Sequence, residues 1–408
     1  MQNHTPPLRA AATITLMASA LFVVLTTSPA LAANENVTVY GQANVSYDMI
    51  STGAASGMGA SAGVSSSRVS SNSSHLGLKG AHALGGGWVG LWQVESTVGT
   101  DTGASGGVEP ATGTSGRSVR LFDRNTYVGV SHENNGKLVV GRHDTPYKLA
   151  TRRLDVFADG IADNRSLLGT TVAGGEVIET FDGRLSNQIV YFSPALGSFS
   201  GALGYANLAE SNTVSTQLRV SALSMAGMYE QGPLYATVAY EVHTATLKIE
   251  ESTSVKAVKL GVGYTTSFFS TGFAYEKSSD DLGNVAAVTV SNPCGNRSAG
   301  ENCSGHSTLY WSGKINFTAA DALKFAYSKA GQVGSASSNT GAIQFSVGVD
   351  HEIDKRTSVY VLYTSLKNDT QVKYGLANAA SSGAYSVNAS GDGGASPSAF
   401  SFGVRHAF

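Results

Sequence analysis

Charge is scarce in this chain. Asp, Glu, Lys and Arg supply 14% of its 408 residues, with 27 basic against 29 acidic side chains and a net charge of −2. A nucleic-acid partner requires a clustered basic excess, so none is expected. After residue 32, no stretch approaches the roughly 18 apolar residues of a membrane-spanning helix. His75, His82, His132, His143, His243, His306, His351 and His406 are scattered, and neither a His-Glu-x-x-His nor a Gly-x-Ser-x-Gly pattern occurs. Gly261-Val262-Gly263 lies inside a strand-like stretch rather than ahead of a helix, which removes a phosphate-loop reading. Neither an enzyme nor a cofactor is therefore expected. Cysteine is limited to Cys294 and Cys303, in PCGNRSAGENCSG. In an exported protein that spacing suits a disulfide pinning a loop tip; a metal pair with the nearby His306 is the alternative.

The N-terminus points to export. Arg9 precedes an apolar, small-residue run from Ala10 to Val24, and Ala30-Leu31-Ala32 fits a signal-peptidase site. Residues 1–32 read as a cleaved signal peptide and residues 33–408 as the folded chain. An anchoring helix is the rival reading; the short run and the small-x-small site count against it. Loss of the leader removes Arg9 and leaves 26 basic against 29 acidic residues.

What the chain has in abundance is alternation. In the last residues, Phe400, Phe402, Val404, His406 and Phe408 share one strand face, with Ser401, Gly403 and Arg405 on the other. In the first segment Val37, Val39, Ala43, Val45, Tyr47 and Met49 oppose Thr38, Tyr40, Gln42, Asn44, Ser46 and Asp48. A strand of about ten residues with lipid on one side and water on the other needs this period of two. Sixteen such segments are expected, near 37–49, 75–80, 88–96, 121–131, 137–142, 185–192, 199–207, 221–230, 234–243, 256–265, 269–277, 307–317, 322–330, 341–351, 357–365 and 399–408. The links between them alternate short and long. Consistently tight turns on one side and long loops on the other distinguish an outer-membrane barrel from a soluble sandwich. Unpaired strand edges are costly in hydrocarbon, so the sixteen strands must close, and a ring of that size leaves an aqueous lumen. The fold class expected is thus all-β, a 16-stranded antiparallel transmembrane β-barrel with short periplasmic turns and long external loops. Tyr264, Phe269, Phe273, Tyr275, Phe317, Tyr327 and Phe408 fall near strand ends, where interfacial girdles place their rings.

Several stretches resemble the Gram-negative general porins of neisserial and other betaproteobacterial outer membranes. They are VTVYGQ at 37–42, HLGLKG at 75–80, GLWQVES at 90–96, DRNTYVGV at 123–130, GKLVVGR at 136–142, NQIVYFSP at 187–194, DKRTSVYVLY at 354–363 and GVRHAF at 403–408. The resemblance implies passive diffusion of small hydrophilic solutes and ions through a homotrimer of barrels, set among outer-membrane lipid and lipopolysaccharide. It also implies a third loop folded into each pore, and Phe408 as the barrel-closing residue read by the barrel-assembly machinery during insertion. The chain departs from the family pattern at the first hairpin turn, Ala81-His82-Ala83-Leu84, which lacks an acidic pair. Its third loop also lacks a Pro-Glu-Phe-Gly-Gly type of motif.

The third long loop, residues 143–184, is the candidate constriction. Within LDVFADGIADN, Leu154, Phe157 and Ile161 recur at i, i+3, i+7, while Asp155, Asp159 and Asp163 recur at i, i+4, i+8. That spacing predicts a helical turn or two, its apolar stripe on the wall and its carboxylates toward the lumen. Lys79 and Arg124 face inward by parity and match basic wall positions of the porins; Arg142 immediately precedes the loop. The expected eyelet sets Asp155, Asp159 and Asp163 against Lys79, Arg124 and Arg142, a transverse field that selects solutes. Two rivals stay open: a channel specific for sugars or anions, with Tyr40, Tyr310 or Tyr360 as an aromatic slide, and a surface adhesin on the same barrel.

Overall fold

Alternation becomes pleated strand along most of the chain. The computed structural model describes residues 37–56, 62–100, 121–173, 176–179, 181–208, 218–247, 251–280, 305–334, 338–376 and 393–408. The expected signal peptide at 1–32 and both Cys294 and Cys303 lie outside the described residues. The first strands are β1 (Thr38–Ser51), β2 (Ser65–Ser71), β3 (His75–Gly85), β4 (Trp88–Thr97), β5 (Thr126–His132) and β6 (Gly136–Asp144). Helix α1 (Pro146–Arg152) and a small hairpin, β7 (Thr170–Ala173) with β8 (Glu176–Glu179), belong to the long connection that follows. Next come β9 (Arg184–Phe192), β10 (Phe199–Asn207), β11 (Leu218–Gln231), β12 (Leu234–Leu247), β13 (Glu251–Thr265) and β14 (Phe269–Asp280). The ring is completed by β15 (Ser307–Asn316), β16 (Asp321–Ala330), β17 (Ala342–Glu352), β18 (Thr357–Asn368) and β19 (Ser398–Ala407).

All pairings are antiparallel; successive staves pair, with β6 joining β9 across the long connection, and β1 pairs with β19 from Gln42↔Ala407 to Ser51↔Ser398, so the sheet closes. Strands β2 and β3 both pair with β1 and form one stave, interrupted at 72–74; the barrel therefore has sixteen staves. Closure extends one residue past β19: Gly41 N donates to Phe408 O at 3.0 Å and Phe408 N to Gly41 O at 3.1 Å. The Phe408 ring lies over Gly41, where a Cβ would stand 2.5 Å from Phe408 Cζ. Only glycine leaves the terminal ring that seat.

The barrel is built inside out relative to a soluble domain. In β17, Ile343, Phe345 and Val349 are exposed on the outer face, while Gln344 and Ser346 are buried toward the lumen. The buried apolar cluster lies within the ring, where Leu154, Phe157, Ile161, Leu167 and Leu168 of the long connection meet Leu362 and Leu366 of the wall. Each such side chain withdrawn from water contributes about 1.5–3 kcal/mol, enough to keep a segment of polar composition inside an aqueous lumen.

The structure differs from the sequence expectation in four places. Strand β2 lies within what reads as a Gly/Ser-rich loop; its Ser-rich alternation offers no apolar face to recognise. The segment 121–125 is bent rather than extended, with Phe122 at φ 61°, so β5 begins at Thr126. The link expected over 244–255 shrinks to 248–250, because β12 and β13 continue to Leu247 and from Glu251. Beyond the lipid both faces of a strand meet water, so a polar Thr/Ser-rich stretch can remain paired without alternation. The long connection also contains the unforeseen β7–β8 hairpin.

Candidate functional site

The long connection between β6 and β9 enters the lumen through α1. Thr145 caps this helix, its hydroxyl accepting from Lys148 N at 3.2 Å, and Pro146 occupies the first turn, where its missing N–H costs nothing. The helix stops at Arg152, and 153–163 continue as successive turns rather than the helix predicted from the 154–163 spacing. Leu154 is the wedge that seats them. A Cβ added at Gly261, Gly263 or Gly272 would stand 2.7–2.8 Å from Leu154 atoms, so three glycines of β13 and β14 form its socket. Ser312 Oγ, from β15, donates to Leu154 O at 2.6 Å. Leu154, Phe157 and Ile161 are all buried against the wall, as their apolar stripe predicts.

The acidic stripe has a different role from the one expected. Arg152 stands at its centre: Nη1 is 2.7 Å from Asp163 Oδ2 and 3.8 Å from Asp155 Oδ2, and Nη2 donates to Asp159 Oδ1 at 2.7 Å. Asp155 accepts from Phe157 N at 2.8 Å, Asn164 N at 2.9 Å and Tyr310 Oη at 2.7 Å. Asp163 accepts from Asp159 N at 2.8 Å and Arg165 N at 2.9 Å. The Asp155 and Asp163 side chains are fully buried, whereas that of Asp159 is 39% exposed. Two of the three carboxylates expected to face the lumen thus turn inward and organise the loop, because the turns at 153–163 wrap around one guanidinium. Burial, with the neighbouring Asp163 charge, pushes the Asp155 carboxyl up to about 6, against the pull of Arg152. Burial would raise Asp163 too, but the Arg152 and Arg165 guanidiniums hold it well below the usual carboxylate range.

A second anchor, not foreseen from the sequence, fastens the other end of the loop. Lys259 Nζ on β13 is 2.5 Å from Asp182 Oδ1 and 3.3 Å from Glu276 Oε2 on β14. Tyr147 Oη donates to Glu276 Oε2 at 2.7 Å, and Gly169 N donates to Glu276 Oε1 at 2.8 Å. Inward parity alone would have placed Lys259 and Glu276 in the lumen. Their loop partners, 77 to 129 residues away in sequence, leave no local signal.

The wall residues form a separate group. Lys79 Nζ lies 5.1 Å from the Tyr40 ring centroid, Tyr40 Oη donates to Glu95 Oε2 at 2.9 Å, and Arg124 Nε donates to Glu95 Oε1 at 2.5 Å. Arg124 belongs to the bend before β5, not to a strand, and Glu95 pairs with it. Arg142 sits where the β6–β9 register shifts; its Nε donates to Asp123 O at 2.7 Å and its Nη1 to Ser186 Oγ at 2.8 Å. The structure therefore brings Asp155, Asp159 and Asp163 together, and Lys79 with Arg124, while Arg142 joins neither group. Tyr310 donates to Asp155 and Tyr360 to Asn44, so with Tyr40 these rings are hydrogen-bonded parts of wall and loop rather than an open slide.

A closed sixteen-stave ring with an inward-folded loop agrees with what comparison finds. The sequence model of the Gram-negative porin family matches residues 18–371. The chain belongs to that family. Outer membrane porin protein 32 of Delftia acidovorans is 27% identical over 399 residues, covering 94% of this porin and 97% of the relative. An outer membrane porin protein of Bordetella pertussis is 24% identical over 328 residues, 73% of this porin and 77% of the relative. Among solved structures, an anion-selective porin from Comamonas acidovorans superposes with a TM-score of 0.70 at 21% identity, covering 92% of this porin and 100% of that chain. The protein is an outer-membrane porin, a water-filled channel for passive diffusion of small hydrophilic solutes and ions. Its family and fold are those of channel proteins. The short-turn rim, where β1 begins and β19 ends, is periplasmic and the long connections are external.

Proposed function

We propose that this porin is an anion-preferring diffusion channel whose constriction lies between the 143–184 loop and the wall around Lys79. Asp159 and Arg152 contribute the loop side, and Lys79 with the Arg124–Glu95 pair contributes the wall side. Asp155 and Asp163 act behind them as positioning residues, and Arg142 braces the β6 bulge. The observation that carries the reading is a set of inward wall cations that no described carboxylate pairs, while the other described wall and loop charges lie in mixed clusters. Glu95 is paired with Arg124, Asp350 with Lys324, Asp144 with Lys148 and Arg184, and Asp182 and Glu276 with Lys259. Asp48 lies 3.9 Å from Arg68, and Glu241 is fully buried beside His243. The inward cations Lys79, Lys314 and Arg405 meet no described carboxylate, and a lumen with unpaired cations concentrates anions.

The assembly proposed is a homotrimer embedded in outer-membrane lipid and lipopolysaccharide. Support comes from the outer face of β1–β6, where Val39, Val45, Leu78, Val128 and Val140 are presented with no charged residue among them. Such a face suits a neighbouring barrel as well as lipid. The OmpT protein of Vibrio cholerae, which superposes with a TM-score of 0.63 at 15% identity, was solved in a trimer form. Reversal potentials across a bilayer in a potassium chloride gradient test the selectivity: a sign set by chloride is expected, and a sign set by potassium would overturn it.

A further inference from the structure

We propose that the periplasmic vestibule carries a binding site for a small zwitterion, an α-amino acid with an apolar side chain, in the cleft beneath the constriction loop. The cleft, of about 230 Å³, lies between the loop residues that follow α1 and the periplasmic ends of β11–β15, beside the short turns at 231–233 and 266–268. That is less than the roughly 300–1,000 Å³ of sites for drug-sized ligands, so its occupant is small. Arg153 and Glu230 meet at its rim: Arg153 Nη1 donates to Glu230 Oε2 at 2.8 Å and Nη2 to Oε1 at 3.1 Å. The guanidinium is also stacked on Tyr235, with Cζ 4.3 Å from the ring centroid, and Tyr235 is itself fixed by its Oη donating to Ala150 O at 2.6 Å. Fork and stack together hold the charged plane in one orientation.

The pair is not needed to hold the loop. Its side chains are 49% and 60% exposed, and an ion pair so wetted adds little stability. The Arg152 hub, the Leu154 socket and the Lys259 anchor already fasten the segment. What the pair provides is spare bonding capacity of both signs. The fork leaves the Nε–H and an N–H on each amino nitrogen unused, and Glu230 keeps a lone pair on each oxygen. No other hydrogen bond or ion pair of either side chain is made among the described residues. A lone anion here meets the charge of Glu230, and a lone cation meets that of Arg153. A zwitterion lying antiparallel to the pair sets carboxylate on guanidinium and ammonium on carboxylate, so both contacts are favourable at once. Val156 and Leu154 offer an apolar surface for its side chain, and Thr265 and Ser270 add hydroxyl lining. Because Arg153 belongs to the loop and Glu230 to β11, an occupant bridges loop and wall and favours the docked state. Neither Lys79 nor the Arg124–Glu95 pair lines this cleft, so the inference does not depend on the anion preference.

The test is ligand-observed NMR of the purified, folded full-length porin with L-phenylalanine, phenylpropionate and phenylethylamine, which share a ring and differ in the charges they carry. The native protein should bind phenylalanine at least tenfold more tightly than either singly charged analogue. Glu230→Gln should lose that preference and favour phenylpropionate, and Arg153→Gln should lose it and favour phenylethylamine. An R153E/E230R exchange, which rebuilds the pair in reverse, should recover the preference for the zwitterion and keeps the test decisive if a single variant folds poorly. Open channels in potassium chloride alone show that each variant still forms a barrel, and reversal potentials report the anion preference separately. Equal binding of the three ligands, or none, by native protein that forms channels would refute the site. Phenylalanine binding kept at native strength in Arg153→Gln or Glu230→Gln would refute it even if an amino acid binds elsewhere.

Discussion

Removing the Arg152 guanidinium should free the loop that narrows the pore. At an effective dielectric near 20, each contact of Arg152 at 2.7 Å is worth about 6 kcal/mol before desolvation is charged against it. Breaking a largely buried pair by deleting one partner costs about 3–5 kcal/mol net, because the remaining charges stay behind unpaired. Here three carboxylates are left facing one another, with only Arg165, at 3.3 Å from Asp163, to offset them. A docking equilibrium weakened by roughly two to four powers of ten populates displaced loops during a single-channel record. Arg152→Met, which keeps the bulk of the side chain, should therefore raise mean conductance and current noise at pH 7. Lowering the pH should partly reverse both, as one of the crowded carboxyls takes up a proton. Arg152→Lys, which keeps the charge but loses the fork that spans Asp159 and Asp163, should fall between. Native conductance and noise in Arg152→Met at pH 7 would show that the hub does not hold the loop.

Asp159→Asn should move the reversal potential further toward anions with little change in stability, since this is the one exposed carboxylate of the three; an unmoved potential would take it off the pore wall. Lys79→Gln combined with Arg405→Gln should shift selectivity the opposite way, and an unchanged anion preference would refute the role given to the leftover cations. Leu154→Ala empties the socket formed by Gly261, Gly263 and Gly272 and should cost about 2–4 kcal/mol of loop docking, seen as increased current noise and protease sensitivity. The Asp155 carboxyl, pushed up to about 6, titrates above its ordinary value near 3.9, so the stability it contributes is fully present below about pH 4 and is lost as pH rises through 6. Channel noise should accordingly increase between pH 5 and 7.5 in the native protein and lose that dependence in Asp155→Asn.

The barrel was readable because lipid on one side and water on the other impose a period of two, repeated along the chain with short and long links in alternation. β14, β15 and β17 begin or end within a few residues of their alternating runs. Where that contrast disappears, so does the signal. The Ser-rich β2 and the Thr-rich ends of β12 and β13 are paired strands without an apolar face. Within the loop, the spacing of Leu154, Phe157 and Ile161 correctly marked a buried stripe. The equally regular Asp155, Asp159 and Asp163 misled, since carboxylates spaced for one helical face can also wrap a single arginine. Arg152, three residues before that stripe, is what its periodicity concealed. Lys259 and Glu276 were beyond reach for a different reason: their partners Asp182, Tyr147 and Gly169 are supplied by tertiary folding alone.

The most direct measurement is single-channel recording of the purified native protein in a planar bilayer. A water-filled barrel narrowed by a fixed loop predicts discrete, ohmic conductance steps, grouped in threes for a trimer, that persist without added ligand. Membranes that stay silent as correctly folded protein is added would contradict the channel itself.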